Sequence, residues 1–164
     1  MQERHFILVY QTMLCMKQYK IEILLIEDNP YEAELAIRSL KSNNIANDIL
    51  HIDDGAEAID FIFSEGIYKN KGHAQNPRLI LLDLNLPKVD GLEILRRVKS
   101  DERTKMIPIV VLTSSREDRD IIESYKLGVN SYIVKPVNFE SFSQAIAELK
   151  MYWLILNQGP PYSE

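Results

Sequence analysis

Short runs of Ile, Leu and Val alternate with longer segments in which apolar residues recur at helical spacing. This alternation is typical of βα units built around a parallel sheet. Two of the runs are apolar throughout, as expected for strands that helices cover on both faces. The pattern predicts a doubly wound α/β domain with five parallel strands at Ile23–Ile26, Ile49–Ile52, Leu79–Leu82, Ile109–Leu112 and Tyr132–Val134.

Turn residues and apolar spacing locate five helices. Pro30 opens the first helix, and glycines at 55 and 91 precede the second and third. The fourth is predicted over 117–128, where it ends at a glycine suited to a C-terminal cap. The fifth is predicted over 139–156, with an inward stripe made of Phe142, Ala145, Ile146, Leu149, Trp153 and Leu156.

Length and charge narrow the class of protein. A chain of 164 residues is the size of one ordinary domain. We predict that this domain covers 21–156, preceded by an extension of undetermined status at 1–20 and followed by a tail at 157–164. The net charge of −5 argues against nucleic-acid binding, which requires a basic face. No apolar run is long enough for a bilayer, and the lone Cys15 fits a reducing compartment, so we expect a cytoplasmic protein without membrane contact.

Acidic residues follow the first and third predicted strands. Glu27 and Asp28 end the first strand, and Asp83 ends the third. Ligands of open α/β sheets bind beyond the carboxyl ends of the strands, so the three carboxylates should share one crevice. Such a cluster suits Mg²⁺, a hard cation that prefers oxygen ligands. An acidic pair alone could merely complement the start of a helix, but that explanation leaves Asp83 unexplained.

A hydroxyl and an ammonium group complete this edge of the sheet. Thr113 ends the fourth strand and Lys135 ends the fifth. Alone, the threonine could be a helix cap and the lysine a solvated charge. Together with the carboxylates they suit phosphoryl transfer to Asp83, with Lys135 and Thr113 holding the remaining oxygens. The histidines lack metal-ligand spacing and are expected to be structural or exposed: His5, His51 and His73.

In order and spacing, four motifs resemble those of the receiver domains of two-component response regulators. They are IEDNP at 26–30, LLDLNLPKVDG at 81–91, VVLTSS at 110–115 and YIVKP at 132–136. The resemblance covers about residues 21–150 and implies a flavodoxin-like topology. A long loop before Pro77 and a last helix that runs into MYWL look most similar to the phytochrome-associated single-domain regulators.

The resemblance also implies a role for each site residue. Asp83 would be the phospho-acceptor, Asp28 a direct ligand of Mg²⁺ or a substituting Mn²⁺, and Glu27 a ligand through water. Asn85 would offer its backbone carbonyl to the metal. Thr113 would be the switch hydroxyl, and Lys135, with a cis peptide bond after it, would pair with the phosphoryl group. Tyr132 would be the aromatic residue that turns inward on activation, and Ser114 with Ser115 would tune dephosphorylation.

The predicted function is that of a stand-alone receiver that accepts a phosphoryl group from a histidine kinase, which the subfamily resemblance suggests is a phytochrome. Only eight residues follow the last predicted helix, so we expect the output to be a protein contact. Beyond phosphorylating and dephosphorylating itself, it is not expected to be an enzyme. A Mg²⁺-dependent phosphatase of the haloacid-dehalogenase type is the alternative, although such enzymes place a DxD motif near the first strand. A flavin binder is disfavoured because EDNP would repel the flavin phosphate.

The end of the fifth helix predicts a contact with a second copy. No residue from Met151 to Leu156 is charged, so this end is apolar around its circumference. Apolar patches of this kind mark interfaces, and two-fold pairing is the commonest way to cover one. The alternative is that the N-terminal run Phe6–Leu14 folds over this end within the same chain.

Overall fold

Five parallel strands form the centre of the structure, a computed structural model that describes residues 21–41, 48–69 and 77–159. The strands are β1 (Ile23–Ile26), β2 (Ile49–Ile52), β3 (Leu79–Leu82), β4 (Ile109–Thr113) and β5 (Ser131–Val134). Their order in the sheet is β2-β1-β3-β4-β5. The predicted doubly wound topology is confirmed, and the strand order reverses between β1 and β3, where such sheets open a crevice.

Five α-helices flank the sheet, of which the first four connect successive strands and the fifth follows β5: α1 (Pro30–Lys41), α2 (Gly55–Phe63), α3 (Gly91–Ser100), α4 (Asp118–Lys126) and α5 (Phe139–Lys150). The sequence signals that place them act as expected. Asp54 caps α2 and Asp90 caps α3 by accepting backbone N–H groups of the first turn. The predicted glycine cap of α4 is confirmed, since Gly128 adopts a positive φ of 91° and its N–H donates to the carbonyl of Tyr125.

Alternate residues of each strand serve two separate cores. Leu24 and Ile26 face α2 and α3, whereas Ile23 and Leu25 face α1 and α5. Strands covered on both faces need no polar face, which explains why these runs lack the usual alternation. Polar residues follow these runs at their carboxyl ends, where the site forms. No helix in the described ranges is both long and apolar enough to cross a membrane.

The last helix changes its period near its end. After Lys150 the helix continues as a π-helix over Met151–Leu156, and the N–H of Asn157 donates to the carbonyl of Tyr152, five residues back, at 2.7 Å. Arg78, just before β3, donates to the carbonyl of Leu154 at 3.2 Å. This bond attaches the π-helical end to the start of β3.

The π-helical end corrects part of the predicted inward stripe. Leu154, five residues after the buried Leu149, is buried, whereas Leu156 is 69% exposed. The prediction that Leu156 faces inward is therefore wrong, because the wider π-helical turn rotates the residues after Lys150 away from the faces they would occupy in an α-helix. Trp153 is half-buried and packs against the core, as predicted.

The expected cis peptide bond between Lys135 and Pro136 is also absent, since every peptide bond in the described residues is trans. A trans bond before proline is favoured by about 0.5–1 kcal/mol. The N–H of Lys135 also donates to the carbonyl of Thr113 at 2.7 Å, which extends the β4–β5 pairing to this residue. Lys135 therefore reaches the crevice with a trans bond.

We predict that Leu154→Ala lowers the free energy of unfolding by about 2–4 kcal/mol, because it leaves a cavity beneath the π-helical end. Leu156→Ala, the matched control, should change it by less than about 0.5 kcal/mol, since that side chain is exposed. Urea unfolding at low protein concentration measures both. Equal losses in the two variants, or a larger loss in Leu156→Ala, would contradict the π-helical end.

Candidate functional site

Four strands deliver polar side chains to the crevice beyond their carboxyl ends. Glu27 follows β1, Asp83 follows β3, Thr113 ends β4 and Lys135 follows β5. The strands are in register here, since Ile26 of β1 lies opposite Leu82 of β3. All four polar residues are buried. The structure thus brings together residues that lie up to 108 positions apart in the chain.

Lys135 is the centre of the site. Its Nζ lies 2.6 Å from an oxygen of Glu27, 2.8 Å from one of Asp83 and 2.5 Å from one of Glu32. A lysine ammonium has three donors, so each carboxylate occupies one of them. One positive charge therefore faces three negative ones inside the crevice.

Burial and the neighbouring charges together shift the pKa values of Glu27 and Lys135. Burial raises the pKa of Glu27 to about 7, and the nearby charge of Asp83 adds to this rise, although Lys135 opposes it. Burial alone would lower the pKa of Lys135, but hydrogen bonds to Asp83, Glu27 and Glu32 raise it above its ordinary value. Lys135 therefore stays charged while the carboxylates remain incompletely neutralised.

Unbalanced carboxylates at short range fit a divalent cation. Oxygens of Glu27, Glu32 and Asp83 all lie within 4.8 Å of one another. Hard cations such as Mg²⁺ prefer carboxylate and carbonyl oxygens. A bound cation would offset the negative charge of the carboxylates that Lys135 alone does not neutralise. Asp28, the predicted direct ligand, is exposed and is not one of these three carboxylates.

Glu32 is the site residue that the sequence analysis missed. It lies in the first turn of α1, where the side chain of Asn29 accepts the N–H of Tyr31 at 3.0 Å and that of Glu32 at 3.3 Å. The pair Asn29-x-x-Glu32 is a capping signal that was available in the sequence. It marks the start of a helix at the end of β1, and this start places Glu32 above the crevice.

Asn85 links Asp83 to Thr113. Its backbone N–H donates to Asp83 Oδ1 at 3.1 Å, and its side-chain amide donates to the hydroxyls of Thr113 at 3.4 Å and Ser114 at 3.2 Å. A Cβ on Gly91 would lie 2.3 Å from the carbonyl oxygen of Asp83, so only glycine fits there. The loop after β3 is thereby held close to the acidic cluster.

Beside Asn85, Tyr132 of β5 is hydrogen-bonded to Ser115, which lies in the loop after β4. The Tyr132 hydroxyl donates to the carbonyl of Ser115 at 3.2 Å, and the Ser115 hydroxyl donates to Asp120 at 2.6 Å. The N–H of Ser115 in turn donates to the Thr113 hydroxyl at 3.3 Å. A chain of bonds thus runs from Thr113 to Tyr132.

Among the histidines, the structure describes only His51. Its Nε2 lies 2.8 Å from the backbone carbonyl oxygen of Glu27, so this ring supports the strand end that carries the carboxylate. His51 has the structural role expected for it. His5 and His73 lie outside the described residues, as do Cys15 and the run Phe6–Leu14.

Comparison with known families decides among the predicted functions. The family model described as the response regulator receiver domain matches residues 23–147. The chain belongs to this family. The resemblance stated from the motifs is therefore confirmed, and the phosphatase alternative is not favoured.

Relatives of this receiver domain extend the comparison. It is 42% identical over 139 residues to the probable methanogenesis regulatory protein FilR2 of Methanothrix harundinacea, covering 84% of this chain and 86% of that protein. It is 39% identical over 132 residues to the response regulator Rcp1 of Synechocystis, covering 80% and 88% of the two chains.

Solved structures agree with these matches. The receiver domain resembles the phosphorylated cyanobacterial phytochrome response regulator RcpA with a TM-score of 0.79 and 40% identity, over 85% of this chain and 97% of that one. It resembles the Mn²⁺-bound form of Rcp1 with a TM-score of 0.79 and 38% identity, over 85% and 98%. Phytochrome-associated regulators are thus among its relatives.

We predict that the affinity of the receiver for Mg²⁺ falls as the pH decreases below about 7. The proton and the cation compete for the carboxylates, and Glu27, with a pKa of about 7, is increasingly protonated below that value. Calorimetric titration between about pH 8 and pH 5.5 measures the effect, which approaches tenfold per unit for one proton well below the pKa.

Glu27→Gln is the matched control for this titration. It should bind Mg²⁺ more weakly than the wild type above about pH 7, approach the wild type at low pH, and lose the change centred near the pKa of Glu27, about 7. A wild-type affinity that stays constant across the range would contradict the competition between proton and cation.

Proposed function

We propose that Asp83 accepts a phosphoryl group from a phosphohistidine of a sensor kinase, and that the phosphorylated receiver signals through a protein contact. The observation that carries the proposal is the setting of Asp83. Its carboxylate is buried at the crevice, with one oxygen bound by Lys135 at 2.8 Å and the other by the N–H of Asn85 at 3.1 Å. These two donors orient the carboxylate as a nucleophile.

In the transfer, a carboxylate oxygen of Asp83 attacks the phosphorus and forms an acyl phosphate. The bond from phosphorus to the donor atom breaks, and its electron pair leaves with the donor, whether a histidine nitrogen or the acetate of acetyl phosphate. Lys135 neutralises charge on the transferred oxygens, and the Thr113 hydroxyl donates to one of them. This is self-phosphorylation from a donor rather than turnover of a substrate.

A divalent cation completes the proposed site. Asp28, Asp83 and the backbone carbonyl of Asn85 would bind it directly, and Glu27 would act through water. When bound, the cation supplies positive charge to the oxygens of the phosphoryl group. Mg²⁺ is the proposed physiological ion, and the Mn²⁺-bound form of Rcp1 supports Mn²⁺ as a substitute.

The chain of bonds from Thr113 to Tyr132 is the proposed switch. When Thr113 turns toward the phosphoryl group, its hydroxyl no longer accepts the N–H of Ser115, so the Ser115 backbone can move. The Ser115 carbonyl that accepts the Tyr132 hydroxyl moves with it, and Tyr132 is freed to turn. This changes the face made by α4, β5 and α5. Ser114 and Ser115 lie where dephosphorylation would be tuned.

The proposed kinase is of the phytochrome type, because RcpA, a cyanobacterial phytochrome response regulator, is 40% identical to this chain. A cytoplasmic location remains a prediction. So do the boundaries of the receiver at 21–156, of the extension at 1–20 and of the tail at 157–164.

Labelling with acetyl phosphate tests the acceptor. We predict that the wild type is phosphorylated with Mg²⁺ or Mn²⁺ present and that a chelator abolishes labelling. Asp83→Asn should not be labelled, because an amide lacks the nucleophilic carboxylate. Asp53→Asn, which removes an exposed carboxylate at the end of β2, is the control and should label normally. Labelling of Asp83→Asn at the wild-type rate would exclude Asp83.

We further propose that the receiver pairs with a second copy through the C-terminal end of its last helix. Four large apolar side chains of the π-helical end are 45–69% exposed: Met151, Tyr152, Ile155 and Leu156. They adjoin one another on a single turn and a half of helix, and identical patches bury each other in two-fold symmetry. Leu154 is not part of this surface, because it is buried.

Sedimentation tests the pairing. We predict that the wild type dimerises with increasing concentration and that the double variant Ile155→Glu, Leu156→Glu stays monomeric yet still phosphorylates. Met106→Glu places a negative charge on another exposed apolar residue and should leave dimerisation unchanged. A wild type that sediments as a monomer at all concentrations, phosphorylated or not, would contradict the pairing.

A further inference from the structure

Glu32 is the carboxylate at Lys135 that solvent reaches. Its side chain is 39% exposed, whereas those of Glu27 and Asp83 are 3% and 6% exposed. Glu27 and Asp83 belong to strand ends, while Glu32 reaches in from the first turn of α1. Glu32 therefore covers the side of the ammonium that faces the mouth of the crevice.

The ammonium group has no donor left for a further acceptor. Its three donors face three carboxylate oxygens at 2.5–2.8 Å. A phosphoryl group on Asp83 brings new anionic oxygens to the same place, and these need Lys135 for neutralisation. Because the acyl phosphate carries more negative charge than the Asp83 carboxylate that it replaces, the site must release a carboxylate, and Glu32 is the partner that can turn into solvent without leaving a buried charge unpaired.

We propose that Glu32 is a placeholder for the phosphoryl group. Its carboxylate binds Lys135 in the unphosphorylated receiver and is displaced when Asp83 is phosphorylated. The inference rests on the proposed function, since it requires Asp83 to be the acceptor. Glu32 thereby slows phosphorylation and lowers the occupancy of the phosphorylated form, which makes it a positioning residue that acts through Lys135.

The expected size of the effect follows from the exposure of Glu32. A partly exposed ion pair contributes no more than about 1 kcal/mol, which corresponds to about a fivefold change in rate. Glu32 would thus adjust the rate of phosphorylation without blocking it.

A different role for Glu32 would change the rate in the opposite direction. Its oxygen lies within 4.8 Å of those of Glu27 and Asp83, so it could instead be a metal ligand. Loss of a ligand would weaken Mg²⁺ binding and slow phosphorylation, whereas loss of a placeholder speeds phosphorylation when Mg²⁺ is saturating. The sign of the change separates the two roles.

The test compares initial rates of labelling by subsaturating acetyl phosphate at saturating Mg²⁺. Glu32→Gln should label about fivefold faster than the wild type. Glu32→Asp keeps the charge but is one methylene too short to hold the ammonium, and it should also label faster. Glu34→Gln is the matched control, because it removes the same charge from the same helix at a residue that pairs only with the exposed Arg38 among the described residues. It should label at the wild-type rate.

A second readout needs no phosphodonor. By NMR, the ammonium protons of Lys135 should exchange with water faster in Glu32→Gln than in the wild type or in Glu34→Gln. Calorimetry gives the Mg²⁺ affinity of each variant, and circular dichroism confirms that each is folded.

The outcomes are distinguishable. A Glu32→Gln rate equal to or below the wild-type rate overturns the inference, and a lower rate with weaker Mg²⁺ binding identifies a metal ligand instead. Equal acceleration in Glu34→Gln also overturns it, because the effect would then be general charge. If the wild type is not labelled, or if Asp83→Asn is labelled as well as the wild type, the proposed function itself fails.

Discussion

The buried ammonium of Lys135, shared by three carboxylates, is the interaction on which the site depends. Burying charges is costly unless they are paired and hydrogen-bonded, and here three negative groups have one positive partner. Burial, with a smaller contribution from the nearby charge of Asp83, raises the pKa of Glu27 to about 7. A site with this excess of negative charge is suited to take up a cation and to neutralise a phosphoryl group between that cation and the lysine.

The fold makes this concentration of charge tolerable. The central strands β1, β3 and β4 contribute apolar residues to two cores along their length, and polar residues come where these strands end. Because the strands are parallel, these ends meet at one edge, and the reversal of strand order between β1 and β3 opens the crevice there. Gly91 allows the loop after β3 to pass close to the carbonyl of Asp83, so Asn85 can bind both the acceptor and Thr113.

Much of this could be predicted from the sequence, because its signals are local. Apolar runs predicted the strands, and Pro30 and the glycines predicted where the helices begin or end. The residues at the strand ends predicted the site: Glu27, Asp83, Thr113 and Lys135. Glu32 was missed because a capping pair indicates where a helix begins but not which distant lysine its side chain meets. The buried Leu154 was missed because six uncharged residues in a row fit an α-helix and a π-helix equally well. The bond before Pro136 depends on a difference of about 1 kcal/mol or less, which no local pattern reveals.

The central claim is that, of the acidic residues in the crevice, Asp83 is the one that becomes phosphorylated. Borohydride reduces an acyl phosphate on aspartate to homoserine, so it marks the phosphorylated residue permanently. After phosphorylation with acetyl phosphate and Mg²⁺, peptide mass spectrometry should find homoserine at position 83 in the treated protein and not in an unphosphorylated control. Reduction at Glu27, Asp28 or Glu32 instead, or at no carboxylate of a protein that carries phosphate, would contradict the account.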